Sequence, residues 1–495
     1  MVHLYVDKSI GKIKLVTDDP TARFLLEVVT KNNEYIPWQK KYGVVTKTHK
    51  IYEERRNPMP KGGIYTYTMG LGWAAYLINT FKPHITQDDY YAILRDAIYS
   101  DNYRTIPFPE LRDYQNEDVL HLLKYRIGLF SCFTGYGKTQ VIATIAKYAY
   151  DLGKTVLLVT PGKKAQDELL KRCKSAFGLV PDDRLGAIIT SGLSNRKDYK
   201  DPKLRVNLEK DLARYEWVLA DEVEYTINDS GEYLYSHLLG ATNLYGFSGT
   251  SDKQAAESIT FVSGLSEVIV RNKDLIKFFG PNLVYRMPLN KNINDIQIKT
   301  SALDLIQFDW GNDNSNIYFK IMSQIWTDPG VCAVIKKVIK KFPLTFIPIN
   351  NLTNVLSEWI DKYFVGTFKV LLVCGEGYIY YDLKGKKTKL DLTTACDYIR
   401  DGKVDVIPST SAGYRALDFP NLENILLIEG LKAGVVLQQI GRIARSQNMN
   451  IITLSGISDK KIPVYSKSDE SRKELYQTYY KFCNITESVI YENNL

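Results

Sequence analysis

The sequence predicts an α/β fold of two successive, doubly wound parallel sheets preceded by a small α/β block. Three observations carry that expectation. The chain has 495 residues, too many for one ordinary hydrophobic core, so two to four domains are expected. Short apolar runs alternate with helical spacing in two consecutive series, as buried parallel strands and their crossover helices do. The runs end in small or polar residues, and open parallel sheets carry their function at the carboxyl ends of their strands.

Residues 1–105 form the small leading block. "VHLYVD" and "KIKLVT" alternate like strands, "TARFLLEVVTKN" has helical spacing, and "YGVVTKTHKIYEE" alternates again. "RRNPMPKGG" reads as a basic turn and "GWAAYLINTF" as a second helix. Over residues 106–288 the buried strands are "RIGLFSC", "TVLLVT", "LGAIIT", "WVLAD" and "LYGFSGT". Over residues 289–456 they are "LTFIPIN", "KVLLVCG", "VDVIPST", "NILLIEG" and "NIITLSG". Residues 457–495, ending in "SRKELYQTYYKFCNITESVIYENNL", are expected to form a peripheral helical tail.

Composition sets the class. Hydrophobic residues make up 45% and charged residues 24%, the balance of a soluble globular protein. No apolar run reaches the length of a membrane span, and the first residues lack the core of a signal peptide, so a cytoplasmic location is expected. Cys132, Cys173, Cys332, Cys374, Cys396 and Cys483 are scattered without a C-x-x-C pair, which argues against a zinc site or a disulfide framework. Sixty-four basic against 56 acidic residues give a net charge of +8, which permits nucleic-acid binding without requiring it.

The most informative stretch is "GLFSCFTGYGKTQVIATIAKY". An apolar strand ends near Cys132, a turn of Thr134, Gly135, Tyr136 and Gly137 follows, and helical spacing resumes after Lys138 and Thr139. The two glycines let backbone amides converge on phosphate oxygens, and the next helix adds its positive N-terminus. Lys138 would reach the terminal phosphates and the Thr139 hydroxyl would ligate Mg²⁺. The general phosphate-loop pattern has a glycine where this chain has Cys132. A chance glycine turn is the competing reading, but strand, turn, lysine, threonine and helix all arrive in register. Downstream, the strand "WVLAD" opens "LADEVEY". There Asp221 can hold Mg²⁺ through water, and Glu222 can polarise the water that attacks the γ-phosphate.

With these residues in view, the chain resembles a superfamily 2 helicase or translocase over residues 108–450. The resemblance implies two tandem RecA-like motor domains, the first binding ATP with Mg²⁺ and the second supplying arginine fingers. "FPELRDYQNEDV" looks like the Q-motif region, by which Gln115, with Arg112, would read the adenine edge; an amphipathic helix start is the bland alternative. In "LLVTPGKKAQDELLKR", Thr160 and Pro161 match residues that lie on the nucleic-acid backbone. In "GFSGTSD", Ser248 and Thr250 would couple hydrolysis to movement, with Gly249 in place of the usual alanine. Glu224 stands where relatives place an aspartate or histidine that communicates with this motif. "VIPSTSAGYRALDFPNLENILLIEG" resembles motif V, with Thr410 and Ser411 on the nucleic-acid strand and Asp418 at the nucleotide side; Ala416 replaces a usual glycine. "QQIGRIARS" matches motif VI, whose Gln438, Arg442 and Arg445 would share one helix face. A guanidinium clamp on the γ-phosphate is the use of that face.

The resemblance implies an ATP-driven cycle in which the two sheets close and reopen on nucleic acid. Size, a small α/β unit before "LRDYQ", the Q-x-I-G-R form of motif VI and "FFGPNLVYRMPL" between the sheets look like the phage UvsW-like branch-migration helicases. That likeness implies remodelling of branched DNA (forks, Holliday junctions, D- or R-loops) in recombination, repair or replication. It would place the protein in the host cytoplasm if its source is a phage. An RNA helicase and an ATP-controlled nucleic-acid clamp that does not translocate remain alternatives. Lys40, Lys41, Lys47, Lys50, Arg55, Arg56 and Lys61, interleaved with Trp38, Tyr42 and Tyr52, read either as a grip on duplex DNA or as a solvated edge guarded by lysines. "NRKDYKDPKLR" is a second basic stretch, a strand contact or a charged loop.

Overall fold

A computed structural model describes residues 2–7, 12–19, 32–35, 46–49, 53–59, 62–133, 135–227, 229–249, 257–261, 265–269, 278–286, 291–306, 317–349, 356–410, 422–428, 439–440, 443, 446–458, 472–473, 476–477, 480 and 482–495. The chain divides into two compact units, Met1–Cys132 with Gly137–Arg286, and Phe133–Tyr136 with Met287–Leu495.

In the first unit, strands β1 (Val2–Asp7) and β2 (Lys12–Thr17) form where the period-2 alternation predicts them. A short antiparallel pair, β3 (Asn32–Tyr35) and β4 (Thr46–His49), comes next in the chain. Strands β5 (Glu53–Met59) and β6 (Gly62–Gly70) complete an antiparallel sheet of order β1-β2-β6-β5. The inward residues Leu4, Ile13, Leu15, Tyr67 and Met69 are buried with Leu77, Ile78 and Phe81 of helix α1 (Ala74–Phe81). The basic stretch expected to be a turn is instead mostly strand, since residues 55–59 belong to β5 and Met59 pairs with Gly62. Pro58 is compatible with this because β5 lies at the sheet edge, where a missing N–H breaks no ladder. Residues 21–31 of the expected helix lie outside the described residues, as do most residues of the basic 38–62 segment.

The leading block is stitched to the sheet that follows. The buried Asn243 Nδ2 donates to Ser100 Oγ (3.0 Å) and to Tyr245 Oη (2.8 Å), and Tyr245 Oη donates to the Tyr125 carbonyl (2.6 Å). That sheet contains β7 (Ile127–Cys132), β8 (Val156–Thr160), β9 (Leu185–Ile189), β10 (Trp217–Asp221), β11 (Asn243–Ser248), β12 (Glu257–Phe261), β13 (Leu265–Ile269) and β14 (Asn282–Arg286). Its order is β12-β13-β14-β7-β11-β10-β8-β9, with the run from β14 to β9 parallel throughout. Four parallel strands of the described residues (β7, β8, β9 and β10) are each followed by a helix, as crossover connections require. The helices that matter here are α2 (Asp113–Leu122), α3 (Lys138–Asp151), α4 (Lys163–Phe177) and α5 (Val223–Thr226).

The second unit holds β15 (Asn292–Thr300), β16 (Thr345–Ile349), β17 (Val370–Cys374), β18 (Gly377–Tyr381), β19 (Lys387–Leu390), β20 (Val406–Thr410), β21 (Asn424–Leu427), β22 (Asn448–Gly456) and β23 (Asn484–Tyr491). They form one sheet of order β19-β18-β17-β20-β16-β21-β22-β15-β23, parallel from β17 to β23. Alternate residues feed two separate cores: Val370 and Leu372 pack on one side, Leu371 and Val373 on the other. Both faces are therefore covered, which is what near-continuous apolar strands require. The two sheets are the successive parallel pair that the alternation of elements predicts.

The expected helical tail is corrected over its last stretch, although residues 472–473 and 476–477 are helical. Residues Asn484–Tyr491 form β23, paired in parallel with β15 along its length. "NITESVIY" is rich in β-branched residues, and Ile490 turns inward onto the core while its neighbours stay exposed.

Candidate nucleotide site

The site grows from three adjacent strand ends. β11 lies between β7 and β10, in registers that set Ser248 opposite Ser131 and Phe247 opposite Asp221. The ends of the phosphate-turn strand and the acidic strand thus stand two ladder positions apart on one edge of the sheet.

Past Cys132 the chain turns, with the Tyr136 N–H donating to the Phe133 carbonyl (3.1 Å). Gly135 and Gly137 take φ of 94° and 97°, a region that L side chains rarely enter. Gly137 is the N-cap of α3 and offers no side-chain cap; its carbonyl accepts the Gln140 and Val141 amides (3.0 and 3.2 Å), so the amides of Lys138 and Thr139 are the ones that precede the helix's own ladder. Together with the positive end of a 14-residue helix, these amides form an anion cradle. Tyr136 is buried, its ring edge-on to Phe133 with centroids 5.7 Å apart. Thr139 is half-buried in the first turn, and Thr134 lies outside the described residues.

Lys138 Nζ stands 3.2 Å from Asp221 Oδ1, with 20% and 10% of the two side chains exposed. Burial opposes the lysine's charge, but Asp221 and Glu222, aided by Glu224, outweigh it and hold the ammonium above the ordinary lysine range. Burial also pushes the Cys132 thiol up to about 12, against the pull of Lys138, so it is a neutral packing group here. Glu222 has φ 46° and ψ 50°, and its N–H donates to Asp221 Oδ1 (2.9 Å). A non-glycine residue in the left-handed region is strained by about 1–2 kcal/mol. The bend ends β10 and starts α5, separating the directions of the two adjacent acids.

These residues fit a nucleotide with Mg²⁺. The described residues contain no cluster of three or more potential protein ligands. A Mg²⁺ ion, which keeps several waters and takes only one or two protein oxygens besides phosphate, needs none. Thr139 and Asp221 would hold it.

Gln115 is buried in the first turn of α2, where its Oε1 accepts the N–H of Arg112 (3.0 Å), the backward half of a capping box. Its Nε2 lies 2.6 Å from where a Cβ on Gly137 would stand, so the amide rests against the phosphate turn. Arg112 is exposed and donates to Tyr114 Oη (2.8 Å).

The expected nucleic-acid contacts are less accessible. Thr160 is fully buried, its hydroxyl directed at the Gly162 carbonyl (3.4 Å), while Pro161 is half-buried. Thr160 ends β8 and Pro161 follows it, and the exposed Lys163 and Lys164 open the next helix, α4. Thr410 is 5% exposed at the end of β20. Ser248 is buried, and Gly249 and Glu224 are half-buried. Thr250, Ser411, Ala416, Asp418, Gln438, Arg442 and Arg445 lie outside the described residues.

Sequence reasoning missed the groups that hold α2. The buried Asn116 accepts the Phe108 N–H (2.6 Å) and donates to the carbonyls of Phe108 (2.9 Å) and Leu111 (3.1 Å), pinning the segment before the helix. Arg286, the last residue of β14, binds Asp118 and Glu117. Its partners are 168 and 169 positions away, and no local pattern signals such a pair.

No family model matches the chain, and no curated protein does. Among solved structures, T4 UvsW aligns with TM-score 0.38 and 13% identity over 99% of both chains. Mycobacterium smegmatis helicase Lhr, bound to ssDNA and AMP-PNP, gives TM-score 0.45 and 13% identity over 75% of this chain and 48% of that one. S. cerevisiae Dbp5, bound to RNA and ADP BeF3, gives TM-score 0.44 and 12% identity over 76% and 89%. Likenesses this distant do not tell what the chain binds or does.

Proposed function

We propose that the chain is an ATP-dependent nucleic-acid motor of the superfamily 2 kind, a DNA helicase or translocase acting in the cytoplasm on branched DNA. One observation carries the ATPase part: a left-handed glycine turn opening a helix, with its lysine 3.2 Å from the first of two adjacent carboxylates on a nearby strand end. The branched-DNA part rests on the sequence resemblance.

In the catalytic step, the turn amides and Lys138 bind the phosphates, exchanging the Asp221 contact for phosphate oxygens. Bound Mg²⁺ would neutralise charge on the phosphate oxygens. Glu222, turned away from Asp221 by its left-handed backbone, orients water for in-line attack. Gln115 presents its amide beside the turn for the base. Arg442 and Arg445 are the proposed arginine fingers.

The deciding experiment measures ATP hydrolysis and strand displacement over forks, four-way junctions, linear duplexes and RNA. Stimulation greatest with branched DNA is expected, weakening steeply with salt because phosphate contacts dominate. Greater stimulation by RNA would favour the RNA helicase, and ATP-dependent binding without displacement the clamp. Full activity in Lys138→Ala would end the motor reading.

A further inference from the structure

Arg286 ends β14, the strand paired with β7, in the register that sets it opposite Cys132. It therefore emerges on the same sheet edge as the phosphate turn. Its Nε lies 2.9 and 2.8 Å from the two carboxylate oxygens of Asp118, and its Nη2 donates to Glu117 Oε2 at 2.5 Å. The Asp118 side chain is only 8% exposed, so the contact is made largely out of water, where a charge-assisted pair is strongest. Asp118 lies three residues after Gln115 on α2, close to one helix face. The amide of Gln115 rests against Gly137. One rigid helix thus joins the arginine on the neighbouring strand to the amide beside the phosphate turn.

The geometry points to Arg286 as a positioning residue for nucleotide selection: by gripping Asp118 and Glu117 it fixes α2, and α2 fixes the amide of Gln115 against the phosphate turn. This rests on the nucleotide-site reading above. Arg286 touches neither phosphate nor base. Its loss should let α2 drift, loosening the hold on ATP and the preference for adenine, while Lys138, Asp221 and Glu222 keep their places.

The test uses the full chain and steady-state ATP hydrolysis with saturating DNA. Arg286→Met should raise KM for ATP about 10-fold, the loss of one charge-assisted contact, with kcat within about 2-fold. It should also narrow the ratio of kcat/KM for ATP over GTP. Gln115→Ala should do the same, and Arg286→Met with Gln115→Ala should be no worse than Gln115→Ala alone, because both act through one amide. Exchanging the charges, Arg286→Asp with Asp118→Arg, should restore part of the ATP preference. Should Arg286→Met fail to fold, Arg286→Lys carries the same test at smaller amplitude, keeping the charge but not the two-pronged grip. An unchanged KM, fully multiplicative effects with Gln115→Ala, or a fall in kcat alone would each overturn the inference. An unmodified chain that does not hydrolyse ATP would instead overturn the reading on which it rests.

Discussion

Gly137→Ala probes the geometry of the phosphate turn most directly. The residue sits at φ 97°, where an alanine is strained by about 1–2 kcal/mol. Its new Cβ would stand 2.6 Å from Gln115 Nε2, inside the 3.0 Å that Cβ contacts essentially never cross. The nearest atom is a side-chain amide that can move, so relief comes by displacing Gln115 at roughly 1–3 kcal/mol, the ordinary cost of overpacking. That displacement breaks the contact with the Arg112 N–H. Together the substitution should cost about 2–5 kcal/mol. Urea unfolding reads the loss, and ATP binding should weaken with it. Adding Gln115→Ala removes the obstructing amide but leaves the backbone strain, so the double variant should regain about 1–3 kcal/mol relative to additivity. Additive effects would mean that the amide does not rest on Gly137. A Gly137→Ala chain with native stability and affinity would refute the turn geometry altogether.

Glu222→Gly should raise stability by about 1 kcal/mol through release of the left-handed strain, while hydrolysis falls at least about 100-fold; Glu222→Gln should lose turnover alone, and thermal melts with ATPase assays separate the two. Asp295→Ala should destabilise the second unit by about 3–5 kcal/mol, because Arg472, 5% exposed and 3.1 Å from that carboxylate, would be left buried without it; urea unfolding checks this. Lys138 carries a folded-state pKa above its unfolded value near 10.4, so its stabilising contribution is complete below that pH and is lost only above it. The rate profile from about pH 6 to 9 should therefore show no lysine limb, and a basic limb that vanishes in Lys138→Met would contradict the assignment. Chelation of divalent metal should weaken ATP binding in the unmodified chain, and Glu224→Gln should reduce that penalty by removing one negative charge near Lys138; equal penalties in both chains would place Glu224 outside the site's field.

What was legible in the sequence was local. The phosphate turn is a strand, two glycines, a lysine and a helix start within a dozen residues, and each part has its own chemical signature. The acidic pair was equally readable because an apolar strand runs directly into it. The two sheets followed from the alternation of buried strands with helical spacing, for which both faces must be covered. β5 and β23 were misread because local composition conflicted with pairing. The basic, proline-containing "RRNPM" looks like a turn until β6 supplies its partner. "NITESVIY" follows a helix-like stretch, and only its pairing with β15 makes it a strand. Arg286 and Asp118 were invisible for a stronger reason: nothing within either neighbourhood indicates the other.

Asp221 Oδ1 faces Lys138 Nζ and also accepts the Glu222 N–H, so this oxygen is already engaged. On the proposed reading, an incoming phosphate would offer Lys138 a better partner, and Asp221 would become available to a metal's water shell as the lysine moves. Occupation by nucleotide and by metal should therefore reinforce each other, since the ion pair that each disrupts is the same. Glu224 belongs in this balance. It lies close enough to raise the affinity of Lys138 for its proton, so the ammonium faces three acids rather than two. A shorter acid or a histidine at that position would weaken this field. With Glu224 in place, a triphosphate arriving without its counter-ion would meet repulsion from Asp221, Glu222 and Glu224 against the attraction of Lys138 and the amides at the helix start. On the proposed reading, Glu224 would thus sharpen the site's demand that nucleotide and metal arrive together.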